Sequence, residues 1–270
     1  MMALVSIARN EKVSTADRAK LQTALRNTIL GDDYWRLRNA AISQLVGLYP
    51  ANSLDEPTVA LLLSVIKKDK SWVRASAIGF LGTTRESKYA DIYLDALNDQ
   101  SFRVIHSAAI ALGRSKSPKA FDALAKLKDK PSMKSQSLIS ALAGLKALGD
   151  PRGFEIALNA LSDLNLPRWR LSGNPPTWDY RDFAVDTIAS LGKADKAYPL
   201  VFERFKRSVS EDDLYGIFAN ILLITALADP RGQEAFDLLK EKFQNDAGAL
   251  SAVAAYETQF RNAVNKAVPA

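Results

Sequence analysis

The sequence predicts an all-α fold, a solenoid of antiparallel helix pairs that forms an α-α superhelix. Three observations predict it: two gapless copies of one segment, a Leu-Gly ending that recurs along the chain, and apolar residues at helical spacing after these endings. With 270 residues, 47% of them hydrophobic, the chain is long enough to bury a substantial core. We therefore expect a single solenoid over residues 1–270.

The repeated segment begins at an aspartate. Asp33 opens Asp-Tyr-Trp-Arg-Leu-Arg-Asn-Ala-Ala-Ile, and Asp69 opens Asp-Lys-Ser-Trp-Val-Arg-Ala-Ser-Ala-Ile 36 residues later. A third copy begins at Asp99, with the aspartate one residue out of step and no arginine in register. The shared pattern, Asp-x-x-x-Val-Arg-x-x-Ala-x-x-x-Leu-Gly, resembles HEAT repeats. That resemblance implies a structural ladder along successive units, in which Asp33 with Arg38 and Asp69 with Arg74 fit the roles of aspartate and arginine.

The Leu-Gly ending predicts where helices stop. It occurs at Leu81-Gly82, Leu112-Gly113, Leu148-Gly149 and Leu191-Gly192, and as Leu227-Ala228. Because glycine takes the left-handed conformation without steric cost, we expect each of these glycines to end a helix. Two endings continue into Asp-Pro-Arg-Gly, at Asp150 and Asp229. Aspartate caps a helix and proline is favoured in its first turn, so these segments predict helix-turn-helix corners.

Both ends of the sequence predict helices that close the solenoid. Ser14 to Asp17 resembles a capping box and opens an N-terminal capping helix over residues 14–30. Residues 250–264 predict a C-terminal capping helix, with Phe260 and Val264 facing inward.

One segment interrupts the repeats. Residues 166–182 contain three prolines, a glycine, two tryptophans and a tyrosine, which predicts a loop and not a continuous helix. One interpretation is a docking loop whose aromatic residues anchor a partner and whose arginines bind carboxylates or phosphates. The residues concerned are Arg168, Trp169, Arg170, Trp178 and Tyr180. The alternative is that the aromatic side chains fill the groove between neighbouring helix pairs.

The net charge of +6 is unevenly distributed along the chain. Lysines concentrate between residues 101 and 150, at Lys116, Lys119, Lys126, Lys128, Lys130 and Lys134. They form either a patch for an acidic partner or the solvated outside of the helix pairs.

Residues that commonly carry catalysis are scarce. The chain has no cysteine, which excludes disulfides and thiolate zinc sites, and its one histidine, His106, excludes a zincin motif. Phosphate-binding, dinucleotide-binding and nucleophile-elbow motifs are also missing. We therefore predict a chain that is not an enzyme, holds no metal or cofactor, and presents surfaces to a partner. Its apolar runs are too short to span a bilayer, which predicts a soluble chain.

Two stretches of the chain carry a further resemblance. Residues 108–161 contain Ala-Leu-Gly-Arg-Ser-Lys-Ser-Pro-Lys-Ala-Phe-Asp-Ala-Leu and a Leu-Gly-Asp-Pro-Arg-Gly corner. The run from Trp178 continues through Leu-Gly-Lys-Ala-Asp-Lys-Ala-Tyr-Pro-Leu to Asp-Pro-Arg-Gly-Gln-Glu. Both resemble the C-terminal HEAT-repeat region of bacterial M1-family metallopeptidases, which are aminopeptidase-like gluzincins.

This resemblance implies a non-catalytic accessory domain. In that family the zinc is held by His-Glu-x-x-His in an upstream domain, and this chain lacks the motif, so no catalytic residue carries over. The implied partner is a catalytic zinc domain against which the accessory domain packs. The implied location is extracytoplasmic, either periplasmic or secreted.

Two other functions remain open from the sequence. A freestanding scaffold would bind a protein or a peptide on a concave face. Nucleic-acid binding, known in HEAT-like DNA glycosylases, fits the net charge and the arginines of the insertion. However, the lysine-rich segment and the insertion lie in different repeats, and the C-terminal part is acidic. We therefore expect a protein partner and not a nucleic acid.

Overall fold

The computed structural model describes residues 14–50, 53–162 and 180–267. All regular secondary structure within these ranges is helical, which confirms the predicted all-α fold of helix pairs. The α-helices are α1 Thr15–Gly31, α2 Trp35–Val46, α3 Glu56–Lys68, α4 Ser71–Leu81, α5 Ala90–Ala96, α6 Phe102–Ser115, α7 Ala120–Leu127, α8 Gln136–Leu148, α9 Gly153–Ser162, α10 Tyr180–Ser190, α11 Ala194–Ser210, α12 Leu214–Leu227, α13 Gln233–Lys242 and α14 Ala247–Ala267.

The described residues form two compact units. The first extends to Ser132 and includes Gln136–Leu148, and the second contains Met133–Ser135 and the chain from Gly149 onward. In the first unit α1 pairs with α2, α3 with α4, α5 with α6 and α7 with α8. The second helices of these pairs, α2, α4, α6 and α8, pack side by side in chain order.

In the second unit α9 pairs with α10, α11 with α12 and α13 with α14. The single solenoid over residues 1–270 stays a prediction.

The repeated segment supplies equivalent core residues in successive pairs. Ala41, Ile42 and Leu45 in α2 are fully buried, and so are their counterparts Ala77, Ile78 and Leu81 in α4. Each position lies 36 residues from its counterpart, so the same face of both helices is apolar. Burying a leucine or isoleucine side chain contributes about 1.5–3 kcal/mol, which explains why the repeat keeps these positions.

Side-chain caps define several helix starts. Ser14 Oγ accepts a hydrogen bond from the Asp17 N–H at 3.1 Å, and α1 begins at the next residue, Thr15. Asp55 accepts from the Thr58 N–H at 2.9 Å and precedes the proline in the first turn of α3. Such caps satisfy backbone N–H groups that have no partner within the helix. They explain why these helices begin where the sequence places aspartate or serine.

The Leu-Gly endings have two different structural roles. Gly149 and Gly192 have φ values of 66° and 69°, the left-handed conformation expected after a helix end. The prediction was wrong for Gly113, because α6 continues past it to Ser115. A Cβ atom at Gly113 would lie 2.2 Å from the carbonyl oxygen of Gly144 in α8. Glycine is therefore required there for the close approach of two helices and not for a turn.

The two Asp-Pro-Arg-Gly corners share one local geometry. Asp150 accepts hydrogen bonds from the backbone N–H of Arg152 at 2.9 Å and from its Nε at 3.1 Å. Asp229 accepts from the same two groups of Arg231, at 3.0 and 2.9 Å. Each corner is thus closed by an ion pair between residues two positions apart.

The last described helix, α14, includes the segment predicted as the C-terminal capping helix. Phe260 is buried, and its ring lies 5.2 Å from that of Phe236 in α13. Val264 is half-buried. In the part of the chain that the structure describes, the helices are too short or too polar to cross a membrane.

Candidate binding surface

The second helices of the first unit are free of acidic residues. None of α2, α4, α6 and α8 contains an aspartate or a glutamate, whereas they carry five arginines and one lysine. These cations are Arg36, Arg38, Arg74, Arg103, Arg114 and Lys146. The acidic residues of this unit lie on the first helices of the pairs or on the connecting segments. One set of helices is therefore basic, and four of its five arginines divide into two groups by their contacts.

The first group links neighbouring helix pairs. Arg38 in α2 donates from Nε to the carboxylate of Asp69 at 2.8 Å, and Arg74 in α4 donates from Nη2 to Asp99 at 2.8 Å. Each arginine also donates hydrogen bonds to backbone carbonyl oxygens of residues that precede its own helix. Arg38 Nη1 donates to the carbonyl oxygens of Asp32 and Asp33, and Arg74 Nη1 donates to that of Asp69. Arg38, Asp69 and Arg74 thus meet in one chain of contacts, which continues to Asp99.

Asp33 enters this ladder only through its backbone among the contacts described. Its carbonyl oxygen accepts from Arg38 Nη1 at 3.1 Å. The carboxylate that pairs with Arg38 belongs to Asp69 of the next repeat, because the arginine points along the stack. The ladder therefore runs from the arginine of one unit to the aspartate of the next.

Burial and hydrogen bonding oppose each other at Asp69. Burial by itself would raise the pKa of the carboxyl group, but hydrogen bonds from Arg38 and from the Lys70 N–H stabilise the charged form. The net result is a pKa below the ordinary value for aspartate. The pair is largely buried, with side-chain exposures of 15% for Arg38 and 11% for Asp69.

The second group of arginines forms a stack with two tryptophans. The rings of Trp35 and Trp72 are stacked with centroids 6.0 Å apart. The guanidinium carbon of Arg103 lies 3.2 Å from the Trp72 centroid, and that of Arg36 lies 5.5 Å from the Trp35 centroid. The order Arg36, Trp35, Trp72, Arg103 therefore crosses α2, α4 and α6. Cation–π attraction holds guanidinium groups on indole faces without neutralising their charge.

An open groove of about 380 Å³ lies beside this stack. We call it the Trp–Arg groove, and it is lined by Ser43, Trp72, Ala75, Ser76, Gly79, Phe80, Thr83, Arg103, Ser107 and Arg114. Its lining contains small residues from α2, α4 and α6, with two arginines and two aromatic rings among them. Trp72 is 45% exposed, an unusual state for such a large apolar side chain. Among the described residues, Arg36, Arg103 and Arg114 form no ion pair with a carboxylate.

Most of the sequence-predicted docking loop lies outside the described residues. Arg168, Trp169, Arg170 and Trp178 lie outside the described residues. Tyr180 is the first residue of α10, and its side chain is also outside the described part. Both interpretations of residues 166–182 therefore stay hypotheses.

Several residues of the lysine-rich segment have partners within the fold. Lys116 donates to the carbonyl oxygens of Ala147, at 2.8 Å, and Leu148 at the end of α8. Lys130 donates to the Leu97 carbonyl oxygen at 3.1 Å, and Lys119 pairs with Asp91 at 2.8 Å. Lysines near helix C-terminal ends stabilise exposed carbonyl groups. These contacts favour a structural role for the lysines over a patch for an acidic partner.

His106 lies on α6, where burial lowers the pKa of its imidazole below the usual value. Its Nδ1 lies 3.4 Å from Ser140 Oγ in α8. Over residues 14–50, 53–162 and 180–267, no group of three or more histidine, aspartate or glutamate side chains is arranged to hold a metal ion.

The Trp–Arg groove was not predicted from the sequence. Two features of the sequence indicate it. Trp35 and Trp72 lie near the start of equivalent repeats, and the second helices lack acidic residues. The tryptophans are not part of the repeat pattern, because Trp35 lies two positions after Asp33 and Trp72 lies three positions after Asp69. Stacking between different helices is visible only once the helices are placed side by side.

A comparison with protein families identifies the repeat. Residues 59–143 match a family model described as HEAT repeats. This segment covers most of α3, α4 to α7, and the first half of α8, and it therefore contains most of the groove. The search of curated proteins found no match.

Solved structures resemble the fold at low identity. Human deoxyhypusine hydroxylase in complex with glycerol is 13% identical, with a TM-score of 0.34 over 97% of this chain and 96% of that chain. A mutant of Kap121p is 11% identical, with a TM-score of 0.39 over 98% of this chain and 34% of that chain. Neither likeness carries an inference about the function of this chain.

Proposed function

We propose that the chain is a non-catalytic HEAT-repeat scaffold that binds another protein through the Trp–Arg groove. The observation that carries this proposal is the exposed stack of Trp72 and Arg103 on helices that contain no carboxylate. Tryptophan and arginine supply most of the binding energy in many protein interfaces, because they combine large apolar area with directional hydrogen bonding. The small residues of the groove leave room for a partner to reach them.

The finer proposal is that the partner is the catalytic zinc domain of an M1-family metallopeptidase. Its support is the resemblance of residues 108–161, and of the run ending in Asp-Pro-Arg-Gly-Gln-Glu, to the C-terminal region of those enzymes. Under this proposal the chain itself has no peptidase activity, and the extracytoplasmic location follows from that of the parent enzyme.

The scaffold proposal is tested by capturing the partner with matched variants. The tagged chain, the variant Arg103→Ser/Arg114→Ser and the control Lys68→Ser/Lys126→Ser are each expressed in source cells and purified with bound proteins. Both variants remove two positive charges from exposed helix positions, but Lys68 in α3 and Lys126 in α7 lie outside the groove. We expect a stoichiometric partner with the wild type and the control and a large loss with the groove variant. Equal recovery by all three proteins contradicts the proposal.

The finer proposal has a separate test. Sequencing the coding region upstream of Met1 and the gene of any captured partner should reveal a His-Glu-x-x-His motif in one of them. The purified chain alone is also assayed with an aminoacyl substrate and added zinc. Zinc-dependent cleavage by the chain itself would refute the non-catalytic assignment, and a partner without the motif would refute the M1 assignment alone.

A further inference from the structure

We infer that the Trp–Arg groove binds an extended acidic segment of the partner protein, in which carboxylates alternate with apolar side chains. The inference rests on the proposed scaffold function and specifies the chemistry that the groove recognises. It follows from the charge of the groove, from its shape and from the positions of its aromatic rings.

Charge complementarity selects an anionic ligand. Arg103 and Arg114 line the groove and Arg36 lies beside it, and none of them forms an ion pair with a carboxylate of the described residues. Arg38 and Arg74 differ, because Asp69 and Asp99 already satisfy them. A guanidinium group binds a carboxylate through two parallel hydrogen bonds, so each remaining arginine offers a defined position for one acidic side chain.

The shape of the groove selects an extended segment. Arg103 and Arg114 lie eleven positions apart on α6, so the groove extends about 16 Å along the helix axis at a rise of about 1.5 Å per residue. An extended peptide rises about 3.3 Å per residue and covers this distance with about five residues. Ser43, Ser76 and Ser107 contribute one small residue from each helix, and Gly79 adds a position without a side chain. These residues allow a peptide backbone to approach. Ser43 and Ser76 donate their hydroxyl protons to oxygens of Asn39, and their hydroxyl oxygens can still accept a hydrogen bond from a peptide N–H.

The aromatic rings of the groove explain why apolar side chains should alternate with carboxylates in the ligand. Trp72 and Phe80 line the groove from α4, whereas Arg103 and Arg114 line it from the neighbouring helix α6. Successive side chains of an extended peptide point to opposite sides. One set of side chains can therefore contact the rings while the other set reaches the guanidinium groups.

A nucleic acid fits this surface less well than an acidic peptide. The groove holds two arginines and no lysine, whereas a duplex is usually bound by many cations along its backbone. Tryptophan can stack on unpaired bases, so a single-stranded oligonucleotide is included in the test.

The experiment uses the full chain and three pools of fluorescent peptides about eight residues long, longer than the groove. Glutamate, serine or lysine alternates with phenylalanine, leucine or alanine in the three pools, and an oligothymidylate of similar length is the fourth probe. Binding is measured by anisotropy at low and at moderate salt. We expect the glutamate pool to bind best, with an affinity that falls at least tenfold in Arg103→Ser/Arg114→Ser and changes less than twofold in Lys68→Ser/Lys126→Ser.

Each outcome has a definite meaning. Preference for the lysine or serine pool, or equal binding by the two variants, overturns the inference. Tighter binding of the oligonucleotide overturns it in favour of a nucleic-acid ligand. If no acidic peptide binds while the stoichiometric partner is still lost in the groove variant, the scaffold proposal stands and only the acidic segment is wrong. Thermal unfolding of both variants excludes misfolding as the cause of lost binding.

Discussion

The ladder of the first unit and the Asp-Pro-Arg-Gly corners use the same ion pair over very different distances in the sequence. Arg38 reaches Asp69 in the next repeat, whereas Arg152 and Arg231 reach aspartates two positions earlier. The ladder pairs join helix pairs and are largely buried, while the side chain of Arg152 is 62% exposed. The comparison shows that one chemical contact either holds neighbouring repeats together or shapes one turn. Sequence separation decides which of these it does, since the side chain of Asp229 in the second corner is 8% exposed and that of Asp69 in the ladder is 11% exposed.

The largest loss of stability is expected from the substitution Asp69→Ala. This change removes the hydrogen bonds from Arg38 and from the Lys70 N–H, and it leaves the largely buried Arg38 without its carboxylate. We expect the free energy of unfolding to fall by about 3 kcal/mol, because a buried charge loses its partner. Chemical denaturation of the purified variant measures this loss.

The matched control is Asp150→Ala in the first corner. It also removes an arginine partner and a backbone hydrogen bond, but the side chain of Arg152 is 62% exposed. For Asp150→Ala we expect the free energy of unfolding to fall by about 1 kcal/mol. Equal losses at Asp69 and Asp150 would show that joining two repeats adds nothing to the ion pair.

An intermediate effect is expected from lowering the pH. Because the folded state holds the pKa of Asp69 below its ordinary value, its contribution is complete above the unfolded pKa, about 3.9. The contribution is lost as the pH falls through the lower folded pKa. The difference in unfolding free energy between the wild type and Asp69→Asn should therefore shrink from about pH 5 to about pH 2. Urea denaturation at several pH values measures it, and a constant difference would contradict the assignment.

The smallest effect is expected where the two corners differ. Gly149 precedes the first corner with φ 66°, and Ala228 takes the same left-handed conformation before the second, with φ 52°. A side chain is strained in that conformation, so Ala228→Gly should stabilise the protein by about 0.5–1 kcal/mol, and Gly149→Ala should destabilise it by about 1 kcal/mol. Thermal or denaturant unfolding shows whether each variant is more or less stable than the wild type. Destabilisation by Ala228→Gly would mean that the methyl group packs well enough to offset the strain.

The repeats could be recognised from the sequence because they depend on local chemistry and on one apolar face. Ala41, Ile42 and Leu45 recur as Ala77, Ile78 and Leu81, and such spacing places buried residues on a helix without knowledge of its neighbours. The corners were also predictable, since aspartate, proline and glycine act within a few residues of each other. Gly113 was misread because its role depends on Gly144, which belongs to another helix.

The sequence by itself determined the all-α fold and its repeat, and it indicated Arg38, Asp69 and Arg74 of the ladder but not Asp99, because helix periodicity and capping are local properties. Only the tertiary structure decided which aspartate meets Arg38, and it alone brought Arg36, Trp35, Trp72 and Arg103 into one stack. These contacts join residues from different helices, and the packing of α2, α4 and α6 sets their distances. The candidate binding surface is therefore a property of the assembled helices, although each of its residues is visible in the sequence.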